Sequence, residues 1–592
     1  MEFDITPQRQ AFLDARGKIV LNACPGSGKT TAIAKKLMLL RDEHISKFGR
    51  FSGIACLSFT NTAKDEISEK YYELSGEYLG FPHKVSTIDS FINQYITLPY
   101  YYLFVKDGKR PKILDSPEFL NDAWKGRFKF KAKNNQLICF SYPPDSIRFE
   151  SDGTFSSKGN RPSEDKVAPD VFDNYCRALK TWQFQTGLIT TSDSAFIAYE
   201  LLSKQPQIGN WLTIRFPHIM VDEAQDNSAV QHALFDKLAE LGLVNLEFIG
   251  DPYQSLYEWR DADPALFNTK YADAQKWQGL NLTDNRRSPQ RIIDCFSILR
   301  KQGDPPIRTT CTYDRKLPIV VYRYNQTNSP LIVQHFEQYC TNSGLENNQI
   351  VVRGNALKNQ MLGKSADQKP WKSNLPYRVI DARHKYEVGE IKGAINEMRS
   401  ISVSLIAKGK DIADVKELEQ DLKINNQFNA ALLDLLHELP SSDLLVSDWT
   451  AKTQIFLKER LSLCADLDFE IKLRSSKKFN RQMLDDPLIN HFKRSYSNSK
   501  IPITTVHQVK GKSLDSILVF FNEKKNKDNI IFSDIEPVDN AFPSEKQRIV
   551  YVALSRPKHL LAMAFPEAIS EDEIYAKFGD QVTIIPNDDI EN

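Results

Sequence analysis

The sequence predicts an α/β protein with two parallel-sheet domains, each interrupted by an inserted, largely helical domain. Three observations predict it. Short apolar runs alternate with helical segments at both ends of the chain. A Gly-rich turn joins the first such run to the first helix. Two long stretches, about 97–190 and 361–495, break the alternation.

The elements follow in order. Ile19-Val20-Leu21 reads as a buried strand, followed by the Gly-rich turn and a helix from about Thr30 to Leu40. Ile54 to Phe59 is a second strand, with a helix from about Ala63, and Val85 to Thr87 is a third. Residues 97–190 carry Tyr/Pro clusters. They also hold an Asp152-Gly153 turn between Ile147–Phe149 and Thr154-Phe155, which signals a hairpin. The strand pattern resumes at Ile219–Val221 and Leu246–Ile249. A second α/β region begins near 290, with strands at Ile319–Val321 and Ile350–Val352. About 360–495 is mostly helical, with helices at Ile391–Leu405 and Phe428–Leu439. Strands return at Ile501–Thr504 and Ile517–Phe521, and a helix–strand unit occupies 545–565. The expected division is 1–96 with 191–289 for the first sheet domain and 97–190 for its insertion. The second sheet domain takes 290–360 with 496–592, and its insertion 361–495.

Size and composition agree. At ~150 residues per domain, 592 residues make about four domains. With 41% hydrophobic and 26% charged residues, bulk disorder and a collagen-like chain are excluded. No apolar run approaches the ~20 residues that span a bilayer, so no membrane partner is expected. The polar, acidic start does not read as a signal peptide. Lys and Arg total 77 against 76 Asp and Glu, a net charge of +1. Bulk charge therefore gives no argument for nucleic acid, yet leaves room for a basic groove. The eight cysteines form no CxxC pair, so no zinc or iron–sulfur site is expected. Unpaired thiols fit a reducing cytoplasm.

Two motifs carry chemistry. Ala23-Cys24-Pro25-Gly26-Ser27-Gly28-Lys29-Thr30 lies between a strand and a helix. Gly26 and Gly28 allow several backbone N–H groups to turn toward one phosphate, and the helix adds its positive end. Lys29 neutralises β/γ-phosphate charge, and the Thr30 hydroxyl is a Mg²⁺ ligand. Ile219-Met220-Val221 runs into Asp222-Glu223-Ala224-Gln225-Asp226. Asp222 is placed to hold Mg²⁺, and Glu223 to take a proton from the attacking water. A third strand, Leu246–Ile249, leads to Gln254, placed to sense the γ-phosphate. Tyr257, Trp259 and Arg260 follow as an aromatic–basic cluster that reads as base-stacking residues or as core aromatics.

These residues resemble superfamily 1 helicases of the UvrD/Rep/PcrA type, and the motifs run in family order over roughly half of the chain. Gln8-Arg9-Gln10-Ala11-Phe12 resembles the adenine-reading motif, with Gln8 as its glutamine. Phe59-Thr60-Asn61 falls in a motif that resembles the TFTNKAA segment touching single-stranded DNA, and Ser86–Phe91 takes the place of GTFHS. Asp222–Asp226 resembles DExQD, and Gly250–Ala262 resembles GDxxQSIYxWRGA. Asn285-Arg286-Arg287-Ser288 resembles NYRS, with Arg286 at the place of the adenine-stacking tyrosine. Arg353 lies in an LxRxN-like strand, and Thr505, His507 and Lys510 in a TxHxxKG-like segment. Asp515 stands for that motif's acidic position. Glu545 to Arg556 resembles the last motif.

The resemblance implies two RecA-like motor domains, ATP and Mg²⁺ as cofactors, and a 3′-to-5′ motor on single-stranded and tailed duplex DNA. It also implies that Arg287 and Arg556 reach the γ-phosphate from across the cleft. No RecB-type nuclease segment is read after Arg556. The architecture further resembles the helicase component of Gabija-type phage-defence systems, which implies a separate nuclease partner. The alternatives are general repair, and an ATPase or DNA-sensing subunit that does not unwind processively. In the insertions, Trp124 with Lys125, Arg127, Phe128, Lys129, Phe130 and Lys131 forms a basic stripe, either for phosphates or for solvent. Lys472, Arg474, Lys477, Lys478 and Arg481 pose the same choice.

Overall fold

In the computed structural model, six strands form the first sheet: β1 (Lys18–Ala23), β2 (Ile54–Ser58), β3 (Lys84–Thr87), β4 (His218–Asp222), β5 (Asn245–Gly250) and β6 (Gln278–Leu282). The structure describes the chain except for residues 1–3, 115–128, 257–261, 326–327, 355–356, 358–369, 388, 407–417, 419–420, 462–468, 475–483, 489–500, 527–528, 539–541 and 592. The first sheet has the order β6-β1-β5-β4-β2-β3, and every neighbouring pair is parallel. A second six-stranded sheet contains β7 (Ile319–Tyr324), β8 (Asn348–Val352), β9 (Ile503–Thr505), β10 (Leu514–Phe520), β11 (Pro557–Pro566) and β12 (Val582–Ile584). Its order is β9-β8-β10-β11-β7-β12, again all parallel.

Both faces of the first sheet are covered. Leu21, Ile54, Cys56, Met220 and Ile249 pack with Ile33 and Leu37 on one side. Val20, Leu57, Ile219, Val221 and Phe248 pack with Ile197, Leu201 and Leu234 on the other. A strand buried on both faces needs an unbroken apolar run, which is what β2 and β4 show. All six strands point one way, so the ends of β1, β2, β4 and β5 share one edge. In open parallel sheets that edge is where ligands bind.

The segment between β3 and β4 includes the expected hairpin. Ile147–Phe149 pairs antiparallel with Phe155–Ser157, and the Asp152 carboxylate accepts from Thr154 N–H at 2.9 Å. The helix Pro169–Gln185 packs Phe172, Tyr175 and Leu179 against that ribbon. Of the basic stripe, Trp124 to Phe128 lie outside the described residues. Phe130 packs its ring on Tyr175 at 5.9 Å while Lys129 and Lys131 face solvent, the alternation of a half-buried strand.

The chain divides into two compact units, and both sheets belong to the larger. The smaller unit is residues 326–337 with 354–500. Its helices Leu375–Glu387, Ile391–Ile406, Asn426–Glu438 and Val446–Leu461 enclose a core of Trp371, Met398, Leu432, Leu436 and Trp449. Trp371 Nε1 donates to Thr450 Oγ1 at 2.8 Å, which satisfies the buried indole. Lys472 and Arg474 flank a bridge from Leu473 to Trp371, whereas Lys477, Lys478 and Arg481 lie outside the described residues. No described helix is long and apolar enough to cross a membrane.

Candidate nucleotide site

The phosphate loop connects β1 to the helix Lys29–Phe48. Gly26 and Gly28 adopt left-handed backbone angles, φ 72° and 76°. A Cβ on Gly26 would lie 2.7 Å from Arg287 Cβ and 2.8 Å from Asn285 Oδ1, so the residue must be glycine on two counts. Ser27 N–H donates to Cys24 O at 3.2 Å, closing the turn. Cys24 itself is buried, and burial pushes its thiol above the usual range, so it is a packing residue.

Lys29 lies between two carboxylates. Its Nζ is 3.0 Å from Asp222 Oδ1 and also pairs with Glu223. Burial alone would lower the Lys29 pKa, but the two anions outweigh it and raise it. Burial pushes Asp222 up. Burial acts the same way on Glu223, but Lys29 and Lys510 outweigh it and hold Glu223 below the ordinary carboxylate range. Glu223 sits at φ 55°, a left-handed angle that non-glycine residues rarely adopt. Gln225 Nε2 donates to Glu223, and Gln225 Oε1 accepts from Asp251 N–H at 3.1 Å.

The end of β5 adds Asp251, Tyr253 and Gln254. Asp251 is buried, which pushes its carboxyl up to about 6. It accepts from Gln254 Nε2 at 2.8 Å and from Tyr253 N–H at 3.0 Å. Gln254 Oε1 in turn accepts from Arg556 Nη2 at 2.7 Å. Arg556 ends the segment after the helix Glu545–Leu554, and its Nε donates to Val552 O at 2.9 Å. Arg287 Nη1 donates to Ser555 O at 3.2 Å.

A cleft of about 790 Å³ joins these groups. It is lined by residues 23–30, Glu223, Gln254, Arg286, Arg287 and Arg556, and also by Ser513, Lys558, Tyr313 and His559. Two cofactor-binding expectations fall elsewhere. Gln8 does not line the cleft: its Nε2 donates to Thr283 Oγ1 at 2.9 Å, and its Oε1 accepts from Thr283 N–H at 2.8 Å. Asp515 is also outside, because its carboxylate accepts from Asn347 N–H at 3.1 Å and pairs with Lys558 at 3.3 Å. Arg286 lines the cleft, but its Nη2 donates to Asp4 Oδ2 at 2.7 Å.

The residues expected to meet DNA are placed as follows. Thr60 caps the helix Asn61–Ser75, and Thr60 and Asn61 are exposed while Phe59 is half-buried at the end of β2. Thr505 caps the helical turn that carries His507. Arg353 Nη1 lies 3.3 Å from His507 Nδ1, so the ends of β8 and β9 are brought together. Tyr257, Trp259 and Arg260 lie outside the described residues.

Four residues within the quoted motifs carry roles that the sequence reading did not assign. Arg9 is buried and its Nη2 donates to Ser27 O at 3.0 Å, directly beneath the phosphate loop. The signal was the N-cap at Thr6, which places Arg9 on the inward face of its helix. Asn285 Nδ2 donates to Pro25 O at 2.7 Å, and its Oδ1 accepts from Arg287 N–H at 2.8 Å. Arg548 Nε donates to Ser255 O at 3.0 Å. Lys510 pairs with buried Asp226, whose carboxyl is pushed up to about 6 by burial.

Residues 5–275 match the UvrD/REP helicase N-terminal domain, and residues 457–568 the UvrD-like helicase C-terminal domain, together more than half of the chain. The chain is 25% identical over 295 residues to the Gabija protein GajB of Bacillus cereus (strain VD045), covering 50% of this chain and 49% of that protein. It is 24% identical over 414 residues to the ATP-dependent DNA helicase PcrA of Bacillus subtilis (strain 168), covering 67% and 52%. PcrA of Staphylococcus aureus (strain Mu50 / ATCC 700699) is 22% identical over 420 residues, covering 67% and 54%. The chain thus spans about half the length of the curated relatives it matches.

Proposed function

Because the chain belongs to the UvrD-like helicase family, we propose that it is an ATP-dependent DNA motor that moves 3′ to 5′ on single-stranded DNA. The observation that carries this reading is the link from Gln254 to Arg556, which joins the acidic edge of the first sheet to the segment leading into β11 of the second. In this reading 1–96 with 191–289 and 290–360 with 496–592 are the two motor domains, and 97–190 and 361–495 their insertions.

The donor set fits ATP with Mg²⁺. Gly26 and Gly28 let the loop pack closely on Asn285, Arg287 and Arg9, Thr30 lines the cleft, and Asp222 lies 3.0 Å from Lys29 Nζ. A Mg²⁺ ion held by so few protein ligands would be completed mainly by phosphate and water oxygens. Thr30 and Asp222 would hold Mg²⁺, which when bound neutralises β- and γ-oxygen charge.

Lys29 moves from the carboxylates toward the β/γ-phosphates. This removes a cation that holds Glu223 anionic, and makes Glu223 a better base. Glu223 takes the proton of the attacking water. The water oxygen bonds to the γ-phosphorus, and the bond to the β-bridging oxygen breaks, leaving ADP and phosphate. Arg287 and Arg556 stabilise the charge that develops on the transferred group. Because Arg556 is rooted beside the second sheet, nucleotide occupancy biases closure of the two motor domains. Phe59, Thr60, Asn61, Arg353, Thr505, His507, Tyr257, Trp259 and Arg260 are assigned to the DNA strand, with the aromatic rings stacking on bases.

A second reading rests on the similarity to the Gabija protein GajB. In it the chain is the motor or DNA-sensing subunit of a defence complex with a separate nuclease, and does not unwind processively. Unwinding of duplexes with 3′ or 5′ tails separates the two. Unwinding of 3′-tailed substrates with DNA-stimulated ATP hydrolysis supports the motor. Hydrolysis without unwinding of either substrate favours the subunit reading. A chain with neither ATP hydrolysis nor DNA binding contradicts both.

A further inference from the structure

We propose that the edge of the first sheet opposite the nucleotide cleft is a docking surface for a protein partner that presents a carboxylate between apolar side chains. The surface is built where β2, β4 and β5 begin. Ser52 Oγ donates to Ile214 O at 2.8 Å, and Gly53 N–H donates to Arg215 O at 2.8 Å. Asn245 N–H donates to Pro217 O at 3.0 Å. A Cβ on Gly53 would meet Pro82 O and lie 2.7 Å from Arg215 Nη1, so the chain leading into β3 closes on the same place.

Each of these four segments carries a large apolar side chain that faces solvent. Phe51, Phe81, Trp211, Ile214 and Val244 are all exposed, from 54% for Val244 to 75% for Phe81. Trp211 and Ile214 stand three apart on the helix Pro206–Arg215 and share its outer face, while Ile208 and Leu212 are buried. A single exposed apolar residue is ordinary. Five on segments bonded to one another form a patch of the kind that marks protein association.

Charge selects the occupant. The Arg215 guanidinium lies 5.3 Å from the Phe81 ring centroid and 4.2 Å from that of Phe216. Its Nη1 is buried without a hydrogen bond, and Arg215 pairs with no carboxylate among the described residues. Arg50 lies over the Phe51 ring at 4.7 Å. A cation that has lost hydration and gained no counter-charge favours a carboxylate, which the planar guanidinium fork matches. Arginine and tryptophan amid apolar side chains are also the residue types that dominate binding energy at protein interfaces. A second copy meeting this face about a twofold axis would set one arginine-bearing surface against another. A nucleic-acid strand would meet exposed Glu77 and Glu240, just before Phe81 and Val244, and aliphatic side chains that offer its phosphates nothing.

The test selects a displayed random-peptide library on the full chain, with the Trp211→Asp chain as counter-selection. The surviving binders are expected to share Asp or Glu flanked by aliphatic or aromatic residues. A synthetic peptide of that consensus should bind Trp211→Asp and Arg215→Gln each about tenfold more weakly than the wild type. Replacing its carboxylates by amides should cost a similar factor. Both variants keep the wild-type rate of ATP hydrolysis to within twofold, because neither residue lines the cleft. A selection without face-dependent binders overturns the proposal, and so does a consensus without carboxylates. Loss of single-stranded DNA affinity in Trp211→Asp would assign the face to nucleic acid and overturn it. Self-association of the wild type that Trp211→Asp abolishes would assign it to a second copy, with the same result.

Discussion

Arg556 Nη2 donates to Gln254 Oε1 at 2.7 Å, and Gln254 Nε2 donates to Asp251 Oδ2 at 2.8 Å. One glutamine amide thus connects a buried carboxylate at the end of β5 to the arginine that precedes β11. Gln254→Ala should leave Arg556 in place but break the relay. DNA-stimulated kcat is expected to fall about 10²-fold, and Arg556→Ala by about 10³-fold. Steady-state hydrolysis with and without single-stranded DNA checks this; normal stimulation in Gln254→Ala would remove the relay from the mechanism.

Lys29 and Glu223 are expected to separate binding from chemistry. Lys29→Ala should lose both ATP affinity and hydrolysis, because the cradle then has no mobile cation for the phosphates. Glu223→Gln should bind ATP and turn over at least 10²-fold more slowly. Equilibrium binding beside single-turnover hydrolysis distinguishes them. Normal turnover in Glu223→Gln would sink the assignment of the base.

Under the first sheet lies a fully buried ion group. Lys36 Nζ is 2.8 Å from Glu247 Oε1, and His218 Nε2 is 2.7 Å from the same oxygen. Glu247→Leu alone leaves the Lys36 ammonium buried and unneutralised, at a cost of about 3–5 kcal/mol. The double change Lys36→Met with Glu247→Leu should recover most of that loss. Urea unfolding midpoints give both values, and additive losses in the double variant would refute the coupling.

His232 makes one contribution to the pH dependence of stability. Burial pushes its pKa down to about 3, so it is neutral in the folded protein while the unfolded chain takes up a proton near 6.5. A depressed base stabilises the fold above its unfolded pKa, and that contribution is lost as pH falls from about 6.5 toward 3. His44 and His83, each pushed down to about 4 by burial, add to the loss in the same direction. His232→Phe keeps a ring against Phe248, 5.1 Å away in the native packing, and removes the proton site. Between pH 6.5 and 5 the variant should lose about 2 kcal/mol less stability than the wild type. Parallel acid-dependence curves would show that His232 does not carry the effect.

Sheet strands covered on both faces were the most legible part of the chain, because burial demands uninterrupted apolar runs such as Ile219-Met220-Val221. The edge strand β6, with the sequence QGLNL and partly exposed, lacked that signal and was missed. The first helix runs to Phe48 rather than Leu40, because its last turns are mostly exposed and carry no apolar stripe. The phosphate loop and acidic strand were readable because a backbone cradle and a carboxylate pair need fixed residue types. Gln8 and Asp515 were not, since side-chain direction depends on tertiary neighbours. A one-residue change of helix phase gives the inward place to Arg9, and the N–H groups of Glu346 and Asn347 hold the Asp515 carboxylate away from the cleft.

Asn285 has a mechanical consequence. Its amide grips Pro25 O in the phosphate loop and the N–H groups of Arg287 and Ser288, while Arg286 N–H donates to Gly26 O at 2.8 Å. Ser288 Oγ then donates to Pro557 O, where β11 begins. Loop, crossover and second sheet are geared together through one side chain, which acts as the fulcrum of a lever. The loop and the start of β11 are thus tied by hydrogen bonds at Pro25 and Pro557, with only the short stretch Asn285–Ser288 of covalent chain between them.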